Sequence, residues 1–418
     1  VNVLWLHIRT SPLRWATPLM CLGGAVLLLS VPGDWTGIWP EAGIAAQTPA
    51  FFLSVVAAGA AAWISGSSRR HRMEEQIAPM RVSARRQEAV RFLVTHVLLL
   101  VPYLSTAAVT YVISLVTISA PGQHLWLGYM LMGVLVMVLA TTWGWLAGRH
   151  LSPVFSALLA LLTWFLFLAY VSDRAEFIAS SGPPWRTPDA AVMLMRAAAV
   201  VLLLAVVVAT PRTFAVSPSK PRVQLLPGVA LGLVIIAILG QKGIVDRAPP
   251  QRALCLPDRI VVCLWPEHEK FAPMIKGMVA RAEGLPNGFV LPARLHEYGI
   301  QVVDTPYGRQ QTGDIDISEG RASALAVGLA SAITSTTFDG CDWDAMAEKN
   351  EYTPDALRRW LELHLTETDS PDYTTFGASG QLHAAWALAA QVYTERSSRE
   401  QQTWVTTEIT RLRHAYCG

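Results

Sequence analysis

The sequence predicts a mainly α chain in two parts: a polytopic helical membrane domain over residues 1–245 and an α-rich α+β domain over 246–418, outside the membrane on the extracytoplasmic side. Three observations predict it. Apolar runs of about 20 residues, enough to cross ~30 Å of hydrocarbon, recur up to residue 245 and then stop. Lysine and arginine collect in alternate connecting loops, and four of the five cysteines lie beyond residue 245. With 52% hydrophobic and 15% charged residues, the chain is more apolar than an ordinary soluble protein.

Seven spans are expected, at 13–31, 48–65, 92–119, 125–147, 151–171, 190–210 and 223–240. Each is read as a helix because lipid offers the backbone no hydrogen-bond partner. The second and seventh are short and rich in small residues. The third is long and holds Pro102, which predicts a kink or a tilted entry. The first run has no small-residue cleavage site and more spans follow, so it reads as a span and not as a signal peptide. Val1 reads as an alternative start codon.

Orientation follows from the loops, thirteen lysines and arginines on one side against two on the other. The rich side has Arg9, Arg14, seven arginines in 68–91, Arg149, Arg212, Lys220 and Arg222. The poor side has Arg174 and Arg186, beside Asp173, Glu176 and Asp189. Positive loops stay in the cytoplasm. The N-terminus is therefore expected on the cytoplasmic side of the plasma membrane, and an odd number of spans carries the tail outside.

The densest polar stretch is "SRRHRMEEQIAPMRVSARRQEAVR", residues 68–91. Met73, Ile77 and Met80 recur at helical spacing, interrupted by Pro79. Such a segment suits a surface helix with Glu74 and Glu75 toward water. Charge alone reads it as a positive-inside anchor, but its place in the chain adds a second reading. An amphipathic piece, "VNVLWLHIRTSPLRW", comes first; two spans follow, then this elbow, then four more spans.

That layout, over residues 1–210, resembles the permease subunits of the type-2 ABC exporter family. It gives a six-span permease-like bundle, to which this chain adds a seventh span and an external domain. The resemblance implies that a separate cytoplasmic ABC ATPase docks on the elbow through Arg69, Arg70, Glu74, Glu75, Arg85 and Arg86. It implies a second permease copy or a sister permease as well. It further implies a short re-entrant turn over 176–180, before the Gly-Pro-Pro break in the loop between the fifth and sixth spans. No GxxxxGK[ST] loop occurs in the chain, so ATP and Mg are expected on the partner and no cofactor here.

Polar residues inside spans are the candidate substrate path: Tyr103, Thr106, Thr110, Tyr111 and Arg196. The hydroxyls of the third span equally suit bonds between helices. For Arg196 and for His96, snorkelling to a nearby interface is the simpler role. No span so bounded holds a carboxylate, which counts against a proton- or sodium-coupled carrier. The small-residue patterns "GAAAW" and "GVLVMVLATTWGW" suit close packing, within the chain or against a second subunit.

Beyond residue 245, "RIVVCLW" reads as a buried strand and "PEHEKFAPMIKGMVARAEGLP" as a helix with a Gly-Leu-Pro stop. A short strand in "GFVLPARLHEYGIQVVD" follows, then helices over 319–335, 354–366, 378–395 and 398–416. Cys255, Cys263, Cys341 and Cys417 read as two disulfides in an oxidising compartment, with three pairings open. His268-Glu269 and His296-Glu297 lack the HExxH spacing of a zinc peptidase, and no GxSxG elbow occurs. Surface or capping histidines are the simpler reading, and neither a metal site nor a catalytic set is expected.

The expected function is thus the membrane subunit of an ATP-driven exporter, forming the substrate path in the bilayer, with no nucleic-acid partner and no enzymatic activity of its own. The alternative is a membrane-anchored extracellular binding or sensing protein without transport activity.

Overall fold

The structure is a computed structural model that describes residues 3–30, 35–70, 84–151, 155–179, 181–210, 228–232, 234–235, 240–305, 308–317, 322–349, 351–367 and 380–417. The chain divides into two units: residues 1–182 with 186–246, and residues 183–185 with 247–418.

In the first unit the helices are α1 (Val3–Thr10), α2 (Leu13–Ser30), α3 (Trp39–Arg70), α4 (Ala84–Thr117), α5 (Gln123–His150), α6 (Ser156–Ala175) and α7 (Ala190–Ala209). Five of them, α2, α3, α4, α5 and α7, are long and apolar enough to cross a membrane, and α6 adds the apolar stretch Ser156–Tyr170. The expected span at 223–240 lies mostly outside the described residues; 228–232 and 234–235 are helical. On α2, Trp15, Leu19, Leu22, Val26 and Leu29 form an exposed apolar stripe, the pattern of a face solvated by lipid.

The expected start of the second span at residue 48 is corrected. Helix α3 begins at Trp39, because Pro40 and Glu41 are a favourable first turn for a helix. The span is therefore long, not short, and it begins on a buried carboxylate, Glu41.

Contacts between helices fix their directions. Gly43 faces Trp126 and Tyr129, Gly144 faces Ala58 and Gly148 faces Ala62, so α3 and α5 run parallel. Helices α2 and α4 are parallel too: Thr17 donates to the Leu98 carbonyl (3.2 Å), and Gly24 faces Thr106. Antiparallel pairs are α4 with α5, where Tyr103 Oη donates to Met130 O (2.8 Å), and α3 with α6, where Trp164 Nε1 donates to Ser54 Oγ (2.9 Å). Directions therefore alternate along the chain. The helix ends at Arg70, Ala84, His150 and Ala209 lie at one end of the bundle, called the basic end below. Small-residue patterns serve this packing within the chain: the glycines of α5 press on the alanines of α3.

The chain then returns. Thr210 is at the basic end, whereas the Gly243 amide donates to Ala175 O (3.0 Å) and its carbonyl accepts from Asp189 N (3.0 Å) at the opposite end. There β2 (Ile244–Asp246) pairs antiparallel with β1 (Arg186–Pro188), Val245 opposite Thr187. Residues 211–242 thus connect the two ends, and Ala230 and Val234 belong to the bundle core.

The second unit is built on β3 (Leu254–Leu256), β4 (Val261–Leu264) and β5 (Arg294–His296), a three-stranded sheet ordered β3-β4-β5. Strands β4 and β5 are parallel, joined through a 3₁₀ turn (Pro266–Phe271) and α8 (Ala272–Glu283). A hairpin, β6 (Gln301–Thr305) with β7 (Gly308–Thr312), precedes α9 (Ala322–Thr337), α10 (Trp343–Glu348), α11 (Thr353–Thr366), α12 (Gly380–Glu395) and α13 (Ser398–Tyr416). Ser397 caps α13 with a reciprocal Glu400 bond. Leu357, Trp360 and Leu361 of α11 are buried, as are Ala385, Ala389 and Val392 of α12 and Val405, Ile409 and Leu412 of α13. Spacings of three and four give each helix one core face. Two disulfides close the unit: Cys255–Cys263 bridges paired strands, and Cys341–Cys417 ties the end of α13 to the segment before α10.

Candidate functional site

Helix α3 has 32 residues and α4 has 34. At ~1.5 Å per residue each is roughly 50 Å long, so about 20 Å of each exceeds a ~30 Å hydrocarbon layer. The two are pinned where the elbow leaves them: Arg91 of α4 donates to Ile64 O (3.1 Å) and to Ser67 Oγ (2.9 Å) of α3. Of the expected docking residues, Arg69 and Arg70 close α3 and Arg85 and Arg86 open α4, Arg86 being exposed. Glu74 and Glu75 lie outside the described residues. Near the start of α4, Arg149, 4% exposed, donates to Val207 O and Thr210 O at the end of α7 and pairs with Glu88 of α4 (3.8 Å). A cation on the last carbonyls of a helix is favourable, and this one ties three helix ends.

At the opposite end the expected helical turn over 176–180 is absent from the described residues 176–179, which form a bend. Glu176 ends α6 with φ of 47°, a left-handed conformation that stops the helix. The following loop turns inward, Phe177 and Gly182 being buried. Its amides are held by side chains of α3: Ala179 N–H donates to Gln47 Oε1 (2.8 Å) and Gly182 N–H to Glu41 Oε1 (3.2 Å). Buried amides outside regular structure need such acceptors.

Around that loop lie Tyr129 and Arg186. Tyr129 is fully buried and packs on Gly43, two residues from Glu41. Its hydroxyl has no hydrogen-bond partner among the described residues, and it lies in the field of Glu41, Glu176 and Arg186. Arg186 reaches Glu176 (3.4 Å) and Asp246 (3.9 Å).

The candidate path residues occupy packed positions. Tyr103 bonds α5, and the hydroxyls of Thr106 and Thr110 return to carbonyls of their own helix. Tyr111 lies between Trp39 and Trp126, at 5.9 and 4.8 Å between ring centroids. Arg196 does not snorkel: it is 1% exposed and donates to Ala175 O (3.0 Å) and Gln241 O (2.7 Å), stapling the returning chain to the end of α6. His96 is likewise held inside, by Phe92 O (2.9 Å) and Thr142 Oγ1 (3.0 Å).

In the second unit the histidine expectation is corrected for His268, which is buried. It pairs not with its neighbour Glu269 but with Glu297, Nδ1 to Oε1 at 2.6 Å, while Glu297 Oε2 accepts from Trp265 N–H (2.9 Å). The parallel β4–β5 pairing brings the two together, which sequence adjacency does not. Arg247 pairs with buried Glu267 (2.6 Å) and lies over Trp265. No three His, Cys, Asp or Glu side chains gather as metal ligands among the described residues.

Elsewhere in that unit, Arg411 beside Glu351 (2.9 Å) holds its carboxyl below the usual carboxylate range. Burial, then the charge of Arg281, pushes His364 below an ordinary histidine.

The sequence matches no protein-family model, no curated protein and no solved structure. Sequence reasoning passed over Glu41, Gln47 and Tyr129. The helix-start signal Trp39-Pro40-Glu41 was the clue to the first two; Tyr129 carried none, being one aromatic among many in an apolar run.

Proposed function

We propose that the chain is the membrane-spanning subunit of an ATP-driven ABC exporter in the plasma membrane, docking a separate ATPase through the cytoplasmic 67–91 elbow. The observation that supports this most is the pinning together of the ends of α3 and α4 at the basic end, clamped by Arg91 and flanked by Arg149 and Glu88. A lever of this kind carries a push at the elbow into the helices of the bundle, and the nucleotide chemistry belongs to the partner. A second permease, a copy or a sister chain, completes the path.

The sidedness that goes with it has the N-terminus in the cytoplasm and the second unit outside. Two disulfides fit an oxidising compartment, and β2 is anchored at the end of the bundle opposite the arginines. The disulfide-closed core also favours the second reading, a membrane-anchored extracellular binding protein.

Co-purification separates the two. ATP hydrolysis is expected to travel with the wild-type chain and to be lost when Glu74, Glu75, Arg85 and Arg86 are all replaced by alanine. If nothing hydrolysing ATP accompanies wild type, the exporter reading falls. Sidedness is checked with Ser398→Cys, exposed at the start of α13. An impermeant thiol reagent should label it on intact cells; labelling only after lysis reverses the topology.

A further inference from the structure

Ionisable groups buried in a membrane bundle are costly, and by default they mark a function. At the end of the bundle opposite the arginines, Tyr129 lies in the field of Glu41, Glu176 and Arg186, and Arg196 in the field of Glu176. Glu41 is bound to the Gly182 amide, and Tyr129 sits against Gly43 just inside it. Glu176 has one carboxylate oxygen toward Arg186, while its other, Oε2, is buried and unpartnered among the described residues. The Tyr129 hydroxyl is in the same position, with the residue 0% exposed. Buried polar atoms in native proteins are nearly always bonded, and one left over is costly.

Two more features set the place apart. Glu176 is one of two non-glycine residues with positive φ among the described residues. A strained conformation of this kind persists where surroundings impose it, often at binding sites. Arg186 is its weakest member: 41% exposed, at 3.4 Å from one carboxylate and 3.9 Å from another, both longer than a good charged hydrogen bond. Arg196, by contrast, is buried and committed to two backbone carbonyls.

We propose that Glu41, Glu176 and Tyr129 form a binding site for the charged nitrogen of an aromatic organic cation, in which the Arg186 guanidinium is the resident cation that the ligand displaces. With both arginines in place, Glu41 and Glu176 are balanced by two guanidinium groups, while the third carboxylate, Asp246, stands exposed to solvent. Once Arg186 swings to solvent, one negative charge is uncovered, and an incoming cation restores the balance without burying net charge. Aromatic rings complete the fit: Phe177 is buried in the same loop and already lies under Arg196 (5.6 Å), the contact a ring face makes with a cation. As a statement of substrate class this rests on the exporter reading, but binding itself does not.

The test is ethidium binding, read by fluorescence anisotropy, to the full chain in nanodiscs of zwitterionic phosphatidylcholine. Wild type should bind saturably, and an uncharged dye of similar size should not compete. Glu176→Gln and Glu41→Gln should each weaken binding at least tenfold, and Tyr129→Phe several-fold. Arg186→Gln should tighten it several-fold, a gain that misfolding cannot imitate. No saturable binding by wild type overturns the proposal. So does binding by both glutamine variants at wild-type strength, or weaker binding by Arg186→Gln. Loss of ATPase co-purification with ethidium binding intact would sink the exporter reading alone.

Discussion

Helices α3 and α5 approach most closely at Gly144, and one methyl group tests that contact. A Cβ there would lie 2.0 Å from Ala58 O and 2.7 Å from its carbonyl carbon. A relaxed carbon–oxygen contact is about 3.3 Å, so the helices must part by about 1.3 Å. The obstacle is backbone and has no rotamer to change. Gly148 repeats the contact one turn on, 2.2 Å from Ala62 O, so separation at Gly144 loosens packing there too. Overpacking costs about 1–3 kcal/mol, here at the upper end. Alanine's better helix propensity returns about 1 kcal/mol, leaving a net loss of about 2 kcal/mol. Gly23 of α2 is the control, since its Cβ would meet nothing within 4 Å. In detergent, thermal unfolding followed by tryptophan fluorescence should fall by about 4–8 °C for Gly144→Ala and stay level or rise for Gly23→Ala. If the two alanine variants melt together, the parallel packing of α3 on α5 is wrong.

Three other outcomes are expected in the second unit. Loop-entropy arithmetic gives about 4.5 kcal/mol for a closure of the Cys341–Cys417 separation, 76 residues, and about 2.5 kcal/mol for Cys255–Cys263, separation 8. The Cys341→Ser/Cys417→Ser pair should therefore melt below the other serine pair. Glu351, held low by Arg411, contributes stability that is present above its ordinary value of 4.5 and is lost as pH falls through the lowered one. Glu351→Gln should cost a few tenths of a kcal/mol at pH 7, and its melting difference from wild type should shrink below pH 4. Replacing only one member of the buried His268–Glu297 pair should cost about 3–5 kcal/mol. His268→Leu with Glu297→Leu should cost less than Glu297→Leu alone, a comparison that chemical denaturation of the three variants decides.

Long apolar runs were readable because lipid-facing and core-facing residues are both apolar, so α2, α4, α5 and α7 stand out by length alone. The same uniformity hid the start of α3: nothing in an apolar count distinguishes Trp39 from Thr48, and only the Pro40-Glu41 turn does. Helix α13 was legible from end to end, expected over 398–416 and found at Ser398–Tyr416. The short strands β3 and β7 were not, because three to five residues carry too little alternation to register. Pairings between distant residues escaped most completely. Glu41 with Gly182, His268 with Glu297 and Arg196 with Gln241 are products of topology, and no local spacing encodes them.

The tripeptide Pro183–Trp185 belongs to the second unit although more than sixty residues separate it from Arg247. Within that unit Arg247 bonds Pro184 O and Trp185 O, and the Trp185 ring packs on Tyr298 and against Gly299. During synthesis this tripeptide emerges long before its partners, so a tryptophan must wait unsheltered until the remainder of the chain arrives. No single cut releases the C-terminal part intact. A fragment beginning at Arg247 is a keyhole without its key, and its solubility should improve when Pro183–Trp185 is supplied in trans.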